Sequence, residues 1–347
     1  MSSTVADAPA PPSTGRARIT GRKLTHPLAA MMLRRLAIGV LTLLAASLLV
    51  FLGTVILPGS PATAVLGRQA SPEAVATIEH ALGYDKPLIV QYGTWLSNIA
   101  RGDFGYSAVA AAQGQATPVK DLIATPLINT FYLAVATVVI LLPLSMLLGV
   151  IAGVRANRWQ DHLVSTASLI AVSLPEFVVG AILVAVFFVG LNLLPPLSLM
   201  PPGDSPLLNP ELLALPVLTL LLTSVGWTVR LVRAGTIEVL KTDYVQMARL
   251  NGIRERRVLS RYVLRNALAP SVQIFALSIQ YLFGGVIVTE AVFQYPGIGT
   301  QIVNAVNSHD NTQVQAIALI LAAIYILINI SADLAVVLLV PKLRTDA

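Results

Sequence analysis

Four histidines, seventeen carboxylates and no cysteine are what this 347-residue chain has for covalent or metal chemistry. The histidines are His26, His80, His162 and His309, and no two stand i, i+4 apart as a zinc-protease helix requires. Without cysteine there is neither a thiolate metal site nor a disulfide framework. No Gly-x-x-x-x-Gly-Lys-Ser/Thr run is present to cradle phosphates, and no Gly-x-Ser-x-Gly elbow to carry a nucleophile. What remains is acids in apolar surroundings: Glu176 directly after Pro175, Glu290, and Asp333. A charge in lipid costs about 2.5–3.5 kcal/mol on insertion scales, so Glu176 is expected to face protein or water. It is a pathway or gating candidate together with Pro175. The preferred reading is a hydrogen bond to a neighbouring helix, made available by a kink at Pro175. Asp333 is a second such candidate. It is read mainly as helix packing, within reach of the membrane interface or an arginine. Glu290 is expected at a solvated headgroup position.

The elements that must carry these residues follow from composition. The chain is 55% hydrophobic and only 12% charged, where soluble domains carry about 25% charged residues. That excludes a disordered tail protein and argues against a soluble enzyme, because so much apolar surface requires lipid. Six stretches are long enough to cross a bilayer, which takes about 20 apolar residues. They are 36–67, 122–154, 163–203 (interrupted at Glu176), 212–229, 266–289 and 311–332. The fold expected is all-α and integral to the membrane, with six transmembrane helices. The segments 1–35, 154–162, 230–265 and 341–347 hold 19 of the 23 basic residues, which places them and both termini in the cytoplasm. Inner and outer are used below in that sense. The first apolar stretch exceeds a signal-peptide core of roughly 7–15 residues and is read as a retained helix. Residues 1–30 read as a disordered cytoplasmic tail, with Met31 or Met32 as alternative starts, and 339–347 as a second tail.

Two connections are too distinctive to be plain loops. The outer segment 58–126 predicts a small helical element, with Ser71-Pro72 opening one helix, Gly83 closing it, and 87–100 resuming. The inner segment 241–265 predicts a short helix capped by Asp243, a stop at Asn251-Gly252, and a second helix. Val258, Leu259, Tyr262 and Val263 form the apolar stripe of that second helix. Two amphipathic helices at a sharp turn make a knob suited to a groove in a partner protein. A basic connector lying on anionic headgroups is the alternative.

Ala248 to Gly252, with Pro270 downstream, resembles the coupling-loop motif of ABC-transporter permeases. The fuller stretches 243–252 and 265–270 resemble the dipeptide/oligopeptide/nickel branch of binding-protein-dependent importers. So do Pro58-Gly59-Ser60-Pro61, Leu82 to Pro87, Gln91-Tyr92, Gly102 to Ser107, Ser173-Leu174-Pro175-Glu176-Phe177 and Val292 to Gly299. The resemblance runs from about Met31 to the C-terminus. Two departures are Leu250-Asn251, where the family usually has Ala-Lys, and Asp310-Asn311-Thr312, where it has Asp-Tyr-Pro.

The resemblance implies a type I importer bundle over 126–338, preceded by a first helix and outer loop over 31–125. It implies a permease without enzymatic activity or a cofactor of its own; ATP and Mg would be bound by partner ATPases. Its partners would be a homologous second permease, two ABC ATPase subunits or a fused one, an extracytoplasmic substrate-binding protein and membrane lipid, with no nucleic acid. The ATPase-coupling residues it implies are Asp243, Tyr244, Met247, Ala248, Arg249, Asn251, Gly252, Arg256 and Arg257. It marks Tyr295, Pro296 and Gly297 as an outer turn. Peptides are the solute it most often implies, with nickel, haem or glutathione as alternatives. An ion-coupled secondary transporter is the rival class, and no internal repeat supports it.

Overall fold

A computed structural model of the chain describes residues 27–56, 85–201 and 206–339, with positions 71, 73, 75–77, 80 and 204 besides. The readings made for 1–26, Pro58 to Pro61, Pro72, Leu82 to Tyr84 and 340–347 lie outside the described residues.

Among the described residues the chain is nearly all helical. The helices are α1 Pro27–Ile56, α2 Leu88–Ala100, α3 Ala108–Ala112, α4 Val119–Val154, α5 Trp159–Ser173, α6 Glu176–Val184, α7 Pro210–Leu240, α8 Asp243–Leu250, α9 Leu264–Phe293, α10 Ile298–Asn307 and α11 Asn311–Leu339. A one-turn helix, Glu255–Arg257, and a π-turn, Val258–Val263, lead into α9. Helices α1, α4, α7, α9 and α11 are each long and apolar enough to cross a membrane, and α5 with 176–190 passes the same test as a bent pair, a sixth span if the two are taken as one.

The third span differs from the expected kinked helix: α5 and α6 meet at 102°. Proline has no N–H to continue the ladder, and its ring drives the preceding residue out of the helical region. Leu174 is accordingly extended (φ −98°, ψ 128°), and Pro175 stands outside α6 as its cap. The fourth span is longer than its charge-free stretch. Helix α7 continues through Arg230 and Arg233 because Arg233 finds a carboxylate partner within the bundle, so the charges do not end the helix.

Helix α7 is the central element, packed by α4, α5, α6 and α9. Its approach to α4 depends on small residues. A Cβ on Gly149 would stand 2.7 Å from the Val232 side chain, and one on Gly153 would stand 2.7 Å from that of Thr236. Small residues of this kind let membrane helices pack backbone to backbone. Leu133, Leu141, Leu220, Leu282, Val286 and Tyr295 fill the core between α4, α7 and α9. Helix α1 is peripheral. It rests on α11, and Leu36, Leu41 and Leu49 point away from the bundle. The outer element is docked at two places. Tyr92 and Trp95 of α2 pack on Phe51, with ring centroids at 5.4 and 6.0 Å. The Asp310 carboxylate at the head of α11 accepts hydrogen bonds from the Ser107 hydroxyl and, at 3.0 Å, from the Ala108 N–H.

Candidate coupling knob and membrane sites

The 241–265 knob is built on an apolar base. Val245 and Ala248 of α8 turn inward onto Val239, Val258 and Val263. Leu259 and Tyr262 support them, so the stripe expected from spacing is the buried seam. Thr242 takes the cap position instead of Asp243. Asp243 is the first helical residue, where its charge favours the helix N-terminus. The turn after α8 relies on Gly252 alone: its φ is +72°, whereas Asn251 stays at −75°. The opposite face of α8 presents Tyr244, Met247 and Leu250 at i, i+3, i+6, with Met247 59% exposed and Leu250 81% exposed. Arg249 reaches back across the turn to Glu255 at 2.6 Å, which fixes the two arms of the knob. The Glu255 carboxylate holds the Arg249 guanidinium above its already high ordinary value. Arg256 and Arg257 are exposed beside it.

Gly252→Asp tests this turn. A Cβ here would meet nothing within 4 Å, so the cost is backbone strain of about 1–2 kcal/mol rather than a clash. The expected outcome is normal insertion with weakened assembly on the ATPase, read by co-purification and uptake.

The outer turn is organised by a residue assigned differently from sequence. Glu290 is fully buried, not solvated. Its carboxylate accepts from the Thr130 hydroxyl at 2.5 Å, from the Gly299 N–H at 2.6 Å, and from the Thr300 backbone. It caps the N-terminus of α10, where backbone N–H groups and the helix dipole favour a negative charge. Gly297 makes room for it: a Cβ there would lie 2.1 Å from Glu290 Oε1. Asn129 donates to the Pro296 carbonyl at 2.8 Å, and the buried Tyr295 hydroxyl donates to the Asn129 carbonyl at 2.8 Å. Tyr295, Pro296 and Gly297 thus clamp α4 to the outer end of α9.

At the break of the third span, Glu176 lies against α9. Its side chain lies beside the Tyr281 hydroxyl, and a Cβ on Gly285 would be 3.3 Å from Glu176 Oε1. Pro175 is exposed beside it. Asp333 is elsewhere, paired with Arg35 at 2.8 Å between α11 and α1.

One ion pair escaped the sequence reading. Asp161 at the start of α5 accepts from Arg233 Nε at 2.5 Å and Nη2 at 2.7 Å. Its second role is to accept from the Asn157 N–H at 2.9 Å, closing the inner turn after α4. No local pattern links positions 72 residues apart. Asp161→Ala leaves a partly buried arginine unpaired, so a loss of about 3 kcal/mol is expected, read as a lower unfolding temperature in detergent.

These features define a polytopic membrane protein with a braced knob on its basic side. Residues 145–345 match the family described as "Binding-protein-dependent transport system inner membrane component", and residues 28–147 match its N-terminal companion, "Binding-prot-dependent transport system membrane comp, N-term". The chain is 34% identical over 317 residues to a putative peptide transport system permease protein of Brucella abortus (strain 2308), covering 91% of this chain and 99% of that relative. It is 36% identical over 303 residues to the glutathione transport system permease protein of Escherichia coli (strain K12), covering 87% and 95%. The chain belongs to the binding-protein-dependent transport system inner membrane component family: it is an ABC importer permease, a multi-pass protein of an inner-membrane transport system. That family sets aside the ion-coupled secondary transporter.

Proposed function

We propose that this permease imports peptides, and that α8 docks it on a cytoplasmic ABC ATPase. The observation that carries the docking role is the two-sided character of α8. Val245 and Ala248 are buried in the knob's own core, while Tyr244, Met247 and Leu250 are presented outward beside exposed arginines. An exposed apolar stripe on a braced helix is a hot-spot surface for a complementary groove. Leu250-Asn251, which departs from the family pattern, lies at the edge of this surface.

The complex would contain a second, homologous permease, two ATPase subunits or a fused one, and an extracytoplasmic capture protein. ATP and Mg would be held by the ATPases, and this chain would supply the moving path. Closure of the ATPases would push on α8 and, through the π-turn at 258–263, on α9. The peptide reading draws on the name of the Brucella relative. Glutathione is the second reading, drawn from the E. coli relative. Uptake of radiolabelled trialanine and glutathione by a strain lacking only this chain separates them; loss of neither would defeat both.

The basic segments imply cytoplasmic termini and knob. Tags at either end are expected to resist protease added to intact cells, and cleavage from outside would overturn the orientation.

A further inference from the structure

Three of the acids near the membrane spans are held by partners. Glu290 is sealed by Thr130 and the head of α10, Asp161 is paired with Arg233, and Asp333 is paired with Arg35. Glu176 differs. It is partly exposed, its side chain lies against Gly285 and beside Tyr281, and no basic side chain is described against it.

Its depth follows from the helix that flanks it. Gly285, which abuts Glu176, lies eight residues before the outer end of α9, or about 12 Å at the helical rise. Glu176 therefore lies alongside the α9 span, away from its outer end. Around it the surface is open. Gln273, Leu277, Tyr281, Gly284 and Val288 form one exposed stripe along α9 at helical spacing, and a Cβ at Gly284 would meet nothing within 4 Å. Ser173, Leu174 and Pro175 are exposed across from it at the break.

An ionisable side chain at this depth faces a water-filled cavity or protein rather than lipid. The lipid-type face is seen on α1, where Leu36, Ile38, Leu41 and Leu49 are exposed with no acid among them. The surface at Glu176 is of the other kind: a carboxylate, a phenol and a glycine gap at a broken helix.

We propose that Glu176, with Tyr281 beside it, receives the cationic amino terminus of the solute along the translocation path. The negative charge of the site selects an ammonium group. Tyr281 holds the carboxylate toward the open stripe of α9. The gap at Gly284 leaves room for backbone of the passing solute. This assignment rests on the peptide reading above.

The test uses the whole transporter in cells lacking the native copy of this chain. Glu176→Gln is expected to lower uptake of radiolabelled trialanine at least tenfold with the chain's level in the membrane unchanged. Glu176→Asp is expected to keep at least a third of it, and Tyr281→Phe to lose two- to fivefold. A second measurement does not depend on turnover by the variant. The chain has no cysteine, so Glu176→Cys gives it a unique thiol. A membrane-impermeant, positively charged methanethiosulfonate is expected to label that thiol in the assembled complex, and trialanine with the capture protein and ATP is expected to slow labelling at least threefold. Glu176→Gln uptake equal to the parent's, or a thiol closed to the reagent, overturns the proposal. If the parent itself takes up no trialanine, the peptide reading fails first and this assignment falls with it.

Discussion

Met247→Glu is expected to cut solute uptake at least tenfold while the chain still inserts at its normal level. Met247 stands at the centre of the outward face of α8 and is 59% exposed, so its replacement costs the fold almost nothing. Under the proposed docking, that face is the contact with the ATPase. A carboxylate buried there without a partner is costly, and hot-spot losses of about 2 kcal/mol or more exceed tenfold in affinity. The contrast lies one turn-face away. Val245→Glu places the same charge in the sealed base of the knob, where exposure is 0%. That variant is expected to lower the amount of folded chain. Co-purification of the ATPase, uptake and membrane level together separate the two outcomes. Met247→Glu with normal co-purification and uptake would remove α8 from the coupling role.

Gly297→Ala is the second large effect. One methyl group would stand 2.1 Å from Glu290 Oε1 and 2.2 Å from the carboxyl carbon, and Glu290 has no space to retreat into because it is fully buried. Overpacking of a rigid core costs about 1–3 kcal/mol, and here it also threatens three hydrogen bonds to the carboxylate. The variant is expected to lower the unfolding temperature in detergent by several degrees or to prevent accumulation. Glu290→Gln keeps the shape but turns an N–H₂ donor toward groups that are themselves donors, a milder loss of about 1–3 kcal/mol. A Gly297→Ala chain as stable as the parent would mean that the turn does not need this close approach.

The helical content, the number of spans and the position of the knob were legible in the sequence, because each depends on local quantities. Length and apolarity decide whether a helix can cross a bilayer, and the spacing of Val258, Leu259, Tyr262 and Val263 marked a buried seam that the fold contains. The Asn251-Gly252 stop was legible too, although only Gly252 takes the left-handed conformation. The bend at Pro175 was legible in kind but not in size. Proline removes one hydrogen bond, and packing of Val179 and Leu183 against Leu215 and Phe293 determines where the freed helix goes.

Glu290 shows where local reading ends. By position it belonged at a solvated membrane edge. Three partners from α4 and α10 converge on it instead, and the glycines at 297 and 299 were the one local sign that something must approach closely. Asp161 and Arg233 gave no such sign, being 72 residues apart. By itself, the sequence determined that the chain lives in lipid, how its basic loops are distributed, and where the knob lies; the separate second helix expected there is a single turn, Glu255–Arg257, and a π-turn, Val258–Val263, that run on into α9. Only the tertiary structure decided that Glu290 is sealed, that Asp161 and Asp333 are paired, and that Glu176 stays partly exposed at the break of the third span. Apolarity and periodicity are summed along the chain, whereas the fate of a charge depends on which distant side chains the packing brings to it.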